Sequence, residues 1–315
     1  MKSFDIIIIG AGIAGLTAAI YARRAGKSVL VLEASTYGGQ IINTLDVQNW
    51  PGVESISGAD LMQKIYHQAN KLGMDIEYEE VLSIAPGAGI ISGNGEESAA
   101  RPVWLVKTDE SEYSCGAIII ATGSNEREMG VPGESSYIGR GVSFCATCDG
   151  AFYKDKNVAI VGGGNTAFYD ALYLADLCKK IYLVHRRGQF RADTILVDKL
   201  RARKNVEFIT PFVPTKVEGD KKVTHLKVAP SEGGAESTLS VDGIFVAIGR
   251  SPRTATFSDI VALDANGYIE AGEDCITSAP GIFAAGDVRT KSIRQLVTAA
   301  SDGATAATAA CRYLG

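Results

Sequence analysis

Residues 5–19 read DIIIIGAGIAGLTAA. The four consecutive isoleucines make a short continuous apolar run, as expected of a strand buried on both faces of a parallel sheet. Gly10, Gly12 and Gly15 follow with the spacing G-x-G-x-x-G, and a helical apolar pattern follows them. In such a turn the first glycine permits the tight bend. The second lets a pyrophosphate approach the backbone, and the third lets helix and strand pack closely. The helix then turns its positive dipole end toward the phosphates. A lone motif of this kind is weak evidence. Here it follows a strand, opens a helix and is joined by Glu33 at the end of a second strand, Ser28–Leu32. A carboxylate at that place can accept hydrogen bonds from a ribose diol.

The same pattern recurs. Residues 157–171 read NVAIVGGGNTAFYDA, with Gly162, Gly164 and Ala167 in the motif spacing and Asn165 and Thr166 opening the helix. That helix runs to about Cys178, and a strand follows at Lys180–Val184. Both repeats read strand–helix–strand, the unit of a parallel sheet. Gly10 to Glu33 is 23 residues, and the same count from Gly162 lands on His185, which begins His185-Arg186-Arg187, with Arg191 beyond. A carboxylate repels a 2′-phosphate, whereas arginines bind one through charge-assisted, often bidentate bonds. The first site thus suits an adenosine with a free 2′-hydroxyl, as in FAD or NAD, and the second suits NADP. The competing explanation of the basic run is a solvated loop.

Working outward, Gly87–Ala100 and Ser231–Glu236 are rich in small polar residues and read as loops or hairpin tips. An apolar strand at Ala117–Ile120 ends in Ala121-Thr122-Gly123, and another, Gly243–Ile248, precedes Gly249-Arg250. These bracket the second repeat and mark where the chain crosses between domains, with hinges expected at Gly123–Asn125 and Asp242–Gly243. The fold class is α/β, with two Rossmann-like dinucleotide-binding domains, the second inserted in the first. The first spans 1–123 and 245–315 and the second 124–244. The alanine-rich stretch Gln295–Tyr313 reads as a helix of the first.

Composition excludes other classes. Apolar residues make up 46% of the 315 and charged residues 21%, as in ordinary globular proteins. A net charge of −5 gives no general attraction to nucleic acid or an anionic membrane. The longest uncharged stretch, Ile6–Ala22, is interrupted by glycines and is a poor membrane span. Asp5 and the glycine spacing also argue against a signal peptide. A cytoplasmic location is expected. Six cysteines in a chain this long make no disulfide scaffold.

The one close cysteine pair is Cys145-Ala146-Thr147-Cys148, followed by Asp149 and lying 14 residues before Gly162. Such a pair is half of a structural zinc site. No second pair exists, however, and His67, His185 and His225 show no ligand spacing. Two inert cysteines are a further alternative. A redox pair fits best, because the small loop can stabilise a thiolate. Asp149 could carry a proton to or from a thiol, or could simply be a turn residue. Cys115 and Cys178 fall in or beside apolar patterns, where cysteine behaves as a small hydrophobe; Cys275 and Cys311 carry no clear signal.

Taken together, the motifs resemble the low-molecular-weight, bacterial-type thioredoxin reductases over essentially the whole chain. The resemblance rests on Gly10–Gly15, Gly38-Gly39-Gln40, Asn49-Trp50-Pro51-Gly52, Ala121-Thr122-Gly123, Cys145–Gly150, Gly162–Ala167, His185-Arg186-Arg187, Phe283-Ala284-Ala285-Gly286-Asp287 and Arg294-Gln295. It implies FAD in the first domain, with Gly39, Gln40, Asn49, Thr122, Gly123 and Gly286 in its site. Asp287 would bind the ribityl or phosphate region, and Arg294 and Gln295 would lie near the isoalloxazine. It implies NADPH in the second domain. Cys148 would be the thiol nearer the flavin, Cys145 the one that attacks the disulfide of a thioredoxin or thioredoxin-like protein, and Asp149 the acid–base residue; a related flavoprotein disulfide reductase with another protein acceptor is the alternative. A homodimer and a rotation of one domain against the other are also implied. Three places depart from the family pattern: Phe168-Tyr169-Asp170, Ala151 before Phe152, and Gly249-Arg250-Ser251-Pro252-Arg253. None removes a flavin or dithiol residue.

Overall fold

Ile6, Ile7 and Ile8 are completely buried at the centre of a seven-stranded sheet in the computed structural model of the chain, which describes residues 1–44, 46–91 and 101–315. The chain forms two compact units. One comprises Met1–Asn125 with Ser251–Gly315, the other Glu126–Arg250.

The first unit opens with β1 (Lys2–Ile9), α1 (Ile13–Arg24) and β2 (Val29–Leu32), followed by α2 (Gly58–Lys71) and β3 (Asp75–Glu77). A hairpin of β4 (Val81–Ile91) and β5 (Arg101–Thr108) leads into β6 (Glu112–Ile120). β1 is parallel to both its neighbours, with Ile6 opposite Val29 on one side and Ala117 on the other. Ile6 and Ile8 pack into the core beneath α1, and Ile7 and Ile9 into the core on the other face. This two-sided burial is what the unbroken apolar run requires. α2 is amphipathic, and Ser57 caps it by accepting from the Asp60 N–H at 3.0 Å. β4 runs on past Gly87, farther than its glycines suggest, because a register shift between Pro86 and Ile90 accommodates them. Residues 92–100, the rest of the expected loop, lie outside the described residues.

The chain leaves through β7 (Ser124–Glu126) and builds β8 (Val142–Ser143), α3 (Ala146–Asp149), β9 (Asn157–Val161), α4 (Asn165–Ala175), β10 (Lys180–Val184), α5 (Thr194–Arg201) and β11 (Val206–Ile209). An antiparallel trio, β12 (Phe212–Gly219), β13 (Val223–Pro230) and β14 (Ser237–Ser240), precedes β15 (Gly243–Val246). Ser231–Glu236 is the turn between β13 and β14. The main sheet of this unit is all parallel, in the order β11-β10-β9-β15-β8. The chain returns through β16 (Arg250–Pro252), which runs beside β7, and ends with β17 (Ile282–Ala284) and α6 (Leu296–Leu314). β17 completes the first sheet alongside Ile118–Ile120 of β6, while β5 covers the earlier part of the same edge.

The pattern of apolar runs puts the return to the first unit at 245 and a hinge at Asp242–Gly243. The structure corrects both. Gly243 and Phe245 of β15 pair with Val158 and Ile160 of β9, and Asp242 accepts from the Asn157 N–H at 2.9 Å. The strand therefore belongs to the second unit, and the return lies at Ser251. Among the described residues no helix is long and apolar enough to cross a membrane.

Candidate active site

Three features, one in the first unit and two in the second, each lie at the carboxyl ends of that unit's parallel strands, where open α/β sheets bind ligands. The first is the glycine turn after β1. Gly10 has φ +106°, and a Cβ there would sit 2.5 Å from the Ala121 carbonyl oxygen. A Cβ on Gly15 would sit 1.9 Å from the Gly10 oxygen, so only glycine lets α1 close onto the turn. Gly12 caps α1 and faces open space. The turn is thus tight where backbone meets backbone and open where a ligand would approach. Glu33 holds it, accepting from the Ala11 N–H at 2.8 Å and the Ser35 N–H at 3.1 Å.

The structure brings the other first-unit residues to the same sheet end. Gly39 abuts Gly12, and Thr122 and Gly123 follow β6 beside Gly10. Thr122 donates to the Arg253 carbonyl at 2.8 Å, and the Gln40 amide donates to the Ser124 carbonyl. Asn49 donates to the Gln295 side chain at 3.2 Å. Gln295 itself caps α6. The Arg294 guanidinium lies 4.2 Å from the Tyr268 ring centroid, and its Nε is buried with no hydrogen-bond partner among the described residues.

The Gly286-Asp287 turn is held from α6. Asp302 is buried, and its Oδ2 accepts from the Gly286 N–H at 2.9 Å, Arg289 Nε at 2.9 Å and Lys291 Nζ at 2.8 Å. Its Oδ1 accepts from Arg289 Nη2 at 2.7 Å. Burial alone would raise this carboxyl, but the two cations outweigh it and hold it below its ordinary range. Sequence reasoning missed Asp302. A signal existed, since Asp302 is the only charge between Leu296 and Cys311.

The second feature is the glycine turn after β9. A Cβ on Gly162 would sit 2.4 Å from the Ala247 oxygen and 2.8 Å from the Ala167 Cβ, while Gly164 caps α4 and faces open space. Asn165 and Thr166 are exposed at its rim, and Asn165 is tied by two hydrogen bonds to Asp193, at 2.8 and 3.1 Å. Arg186, Arg187 and Arg191 are exposed. His185 is not beside them in solvent. Its ring is buried beneath Gly163 and against Phe190, and its Nε2 has no partner among the described residues. Burial, with the neighbouring arginines, holds it below the ordinary imidazole pKa.

The third feature is the cysteine pair. Cys145 and Cys148 form a disulfide across the single turn of α3, with Cα atoms 5.3 Å apart. β8 ends at Ser143, so the disulfide sits at the same sheet end as the second glycine turn, two strands away. Ser143 Oγ donates to Asp149 Oδ2 at 2.6 Å and accepts from the Cys145 N–H at 3.1 Å. Burial raises the Asp149 carboxyl, and the Ser143 bond opposes the rise. Burial and the Asp149 charge push the Tyr153 hydroxyl up to about 12. Cys145 is half-buried and Cys148 exposed. The thiols of Cys115 and Cys275 are buried and pushed up to about 12, and that of Cys178 to about 11. Burial thus disfavours the thiolate, the reactive form, at all three.

The departures from the family pattern also have places. Tyr169 stands exposed on α4, and burial raises the Asp170 carboxyl to about 6 against the opposing charge of Arg250. Arg250 is paired with Glu126, and Arg253 Nε donates to Asn125 at 2.9 Å.

Known proteins are similar to this chain over nearly its whole length. Residues 4–303 match the family model of the pyridine nucleotide-disulphide oxidoreductases. The chain is 41% identical to the thioredoxin reductase of Listeria innocua over 99% of its length and 94% of the relative's. It is 40% identical to that of Bacillus subtilis, over 99% and 95%. Among solved structures, thioredoxin reductase from Streptococcus pyogenes superposes with a TM-score of 0.90 at 39% identity, over 99% of this chain and 98% of that one. The enzyme from Giardia duodenalis gives 0.89 at 35% identity, over 100% and 99%.

Proposed function

Because the chain belongs to the pyridine nucleotide-disulphide oxidoreductases, in their thioredoxin reductase branch, we propose that it carries electrons from NADPH through FAD and the Cys145–Cys148 pair to the disulfide of a thioredoxin. The observation that carries this is the disulfide itself, set one helical turn from a half-buried carboxyl and at the same sheet end as the second glycine turn. The first unit takes the FAD and the second the NADPH. Gly12 and Gly164, each a helix cap facing open space, leave room for a pyrophosphate. Arg186, Arg187 and Arg191 supply the charge for a 2′-phosphate.

The bound flavin supplies two electrons, received from NADPH as hydride, for reduction of the Cys145–Cys148 disulfide. The remaining steps belong to this chain. The Cys145 thiolate attacks a sulfur of the thioredoxin disulfide, forming a mixed disulfide and releasing one thioredoxin thiolate. The Cys148 thiolate then attacks the Cys145 sulfur, re-forms the internal disulfide and releases the second. Asp149, neutral to a higher pH than an exposed carboxyl, supplies the proton that a departing thiolate needs. Thioredoxin's potential is about −270 mV, so the reduced pair must be held near that value. By the same reading the protein is a homodimer in the cytoplasm, where its free thiols stay reduced.

The test is rapid mixing of the flavin-loaded protein with NADPH or NADH, then with a panel of thioredoxins. NADPH should bleach the flavin within seconds and NADH should lag far behind. Cys145→Ser and Cys148→Ser should each abolish thioredoxin turnover, and Cys148→Ser alone should accumulate the mixed disulfide. Turnover surviving in either variant would sink the relay. Accumulation in Cys145→Ser instead would reverse the order of the two thiols.

A further inference from the structure

α6 touches the first glycine turn and the Gly286-Asp287 turn together. A Cβ on Gly303 would sit 2.2 Å from the Ala14 oxygen of α1, and Gly286 lies between Ala14 and Ala299. Between those two contacts stands Asp302. Its four hydrogen bonds join the Gly286 N–H to Arg289 and Lys291, whose side chains are as buried as its own. Arg289 is fixed further by donating to the carbonyls of Ala271 and Thr290, at 3.3 and 3.0 Å. Glu273, fully exposed at 3.7 Å, is the other carboxylate near this cation.

A buried ionic triad is a poor device for stability alone, since desolvation offsets most of its attraction and apolar replacements are often neutral. It is a good device for holding a backbone group in one place, because a charged acceptor with several donors has a single satisfied geometry. The group held here is the Gly286 amide, next to Asp287. We infer that Asp302 is a positioning residue for the flavin: through Gly286 it fixes the turn that presents Asp287, at a set spacing from the glycine turn of α1. This rests on the proposal that the first unit holds FAD. It assigns a role in cofactor retention to a helix residue that belongs to none of the flavin motifs.

The experiment measures FAD dissociation from the full chain, by flavin fluorescence and absorbance, for the parent and two variants. The first is Asp302→Asn. The second combines Asp302→Leu, Arg289→Met and Lys291→Met, which removes the triad without leaving a buried charge uncompensated. Both should bind FAD about 10- to 100-fold more weakly, the loss expected for a bond to a charged acceptor. NADPH affinity should be unchanged in both, and the triple variant should melt, as apoprotein, close to the parent. Amide exchange supplies a readout that needs no variant: Gly286 should be protected in the parent apoprotein. Parent-like FAD affinity in the triple variant, or a freely exchanging Gly286 amide, would overturn the role of Asp302. A parent that binds no FAD would instead overturn the flavin assignment on which it rests.

Discussion

Asp149 sits under two opposed influences: burial raises its carboxyl pKa, and the hydrogen bond from Ser143 draws it part of the way back. A carboxyl raised in the folded state favours folding most when protonated, so its contribution is full below its unfolded pKa and is lost as pH rises through the folded one. The protonated form is also the form that donates. Thiol–disulfide exchange should therefore show an alkaline decline set by Asp149. Ser143→Ala should move that decline to higher pH. Asp149→Asn should abolish it and slow the proton-dependent step about 10²- to 10⁴-fold. Stopped-flow exchange with thioredoxin across pH measures both, and an unmoved decline in Ser143→Ala would show that another group sets it. Asp149 is visible in the sequence, but as a carboxylate that serves equally as a turn residue. What separates those meanings is burial, and burial comes from residues distant in the chain. His185 teaches the same lesson in reverse. Counting from Gly162 finds the residue that follows β10, but spacing does not say which way a side chain at a strand end points. The ring turns under Gly163 and leaves the exposed charge to the arginines that follow.

At the scale of elements, α6 carries more than its alanine-rich sequence announces. Gln295–Tyr313 is legible as a helix because small helix-forming residues fill it. The purpose of those small residues is not legible, since it depends on how closely α1 passes. Gly303→Ala tests that approach. The added methyl meets the Ala14 oxygen, so α6 must shift. The expected cost is about 2–3 kcal/mol, a fall of roughly 5–10 °C in melting temperature by calorimetry. An unchanged melting temperature would mean that α6 moves aside freely, contrary to a fixed spacing between the two turns. The boundary at β15 shows the complementary limit. Gly243–Ile248 is readable as an apolar strand from its residues alone, but the sheet it joins is decided by its pairing with β9, which no local pattern records. The paired βαβ repeats, by contrast, are legible throughout, because each is written in a single run of about thirty residues.

At the scale of the whole molecule, the chain passes between units twice, beside Gly123 and Gly249, with φ of +69° and +112°. The family resemblance implies rotation about such crossings, and Gly249 offers a way to test it. Space exists for a methyl, the nearest atom being Arg127 Cδ at 3.8 Å, so Gly249→Ala acts through the backbone, disfavouring the φ of +112° that the crossing adopts. We expect thioredoxin turnover to fall several-fold, while FAD content and flavin reduction by dithionite stay at parent levels. Parent-like turnover would place the hinge elsewhere. The interrupted first unit has a different consequence, one of timing. A ribosome delivers the chain from its amino end at roughly 5–20 residues per second. The second unit is contiguous and can close as soon as Arg250 has emerged. The first cannot: β17 and α6 come last, and for some seconds the Ile118–Ile120 edge has no β17 and the α1 surface no α6. An uncovered isoleucine edge is a template for pairing with another nascent chain. The first unit therefore cannot close until residues 251–315 have been made, whereas every residue of the contiguous unit is in hand by Arg250.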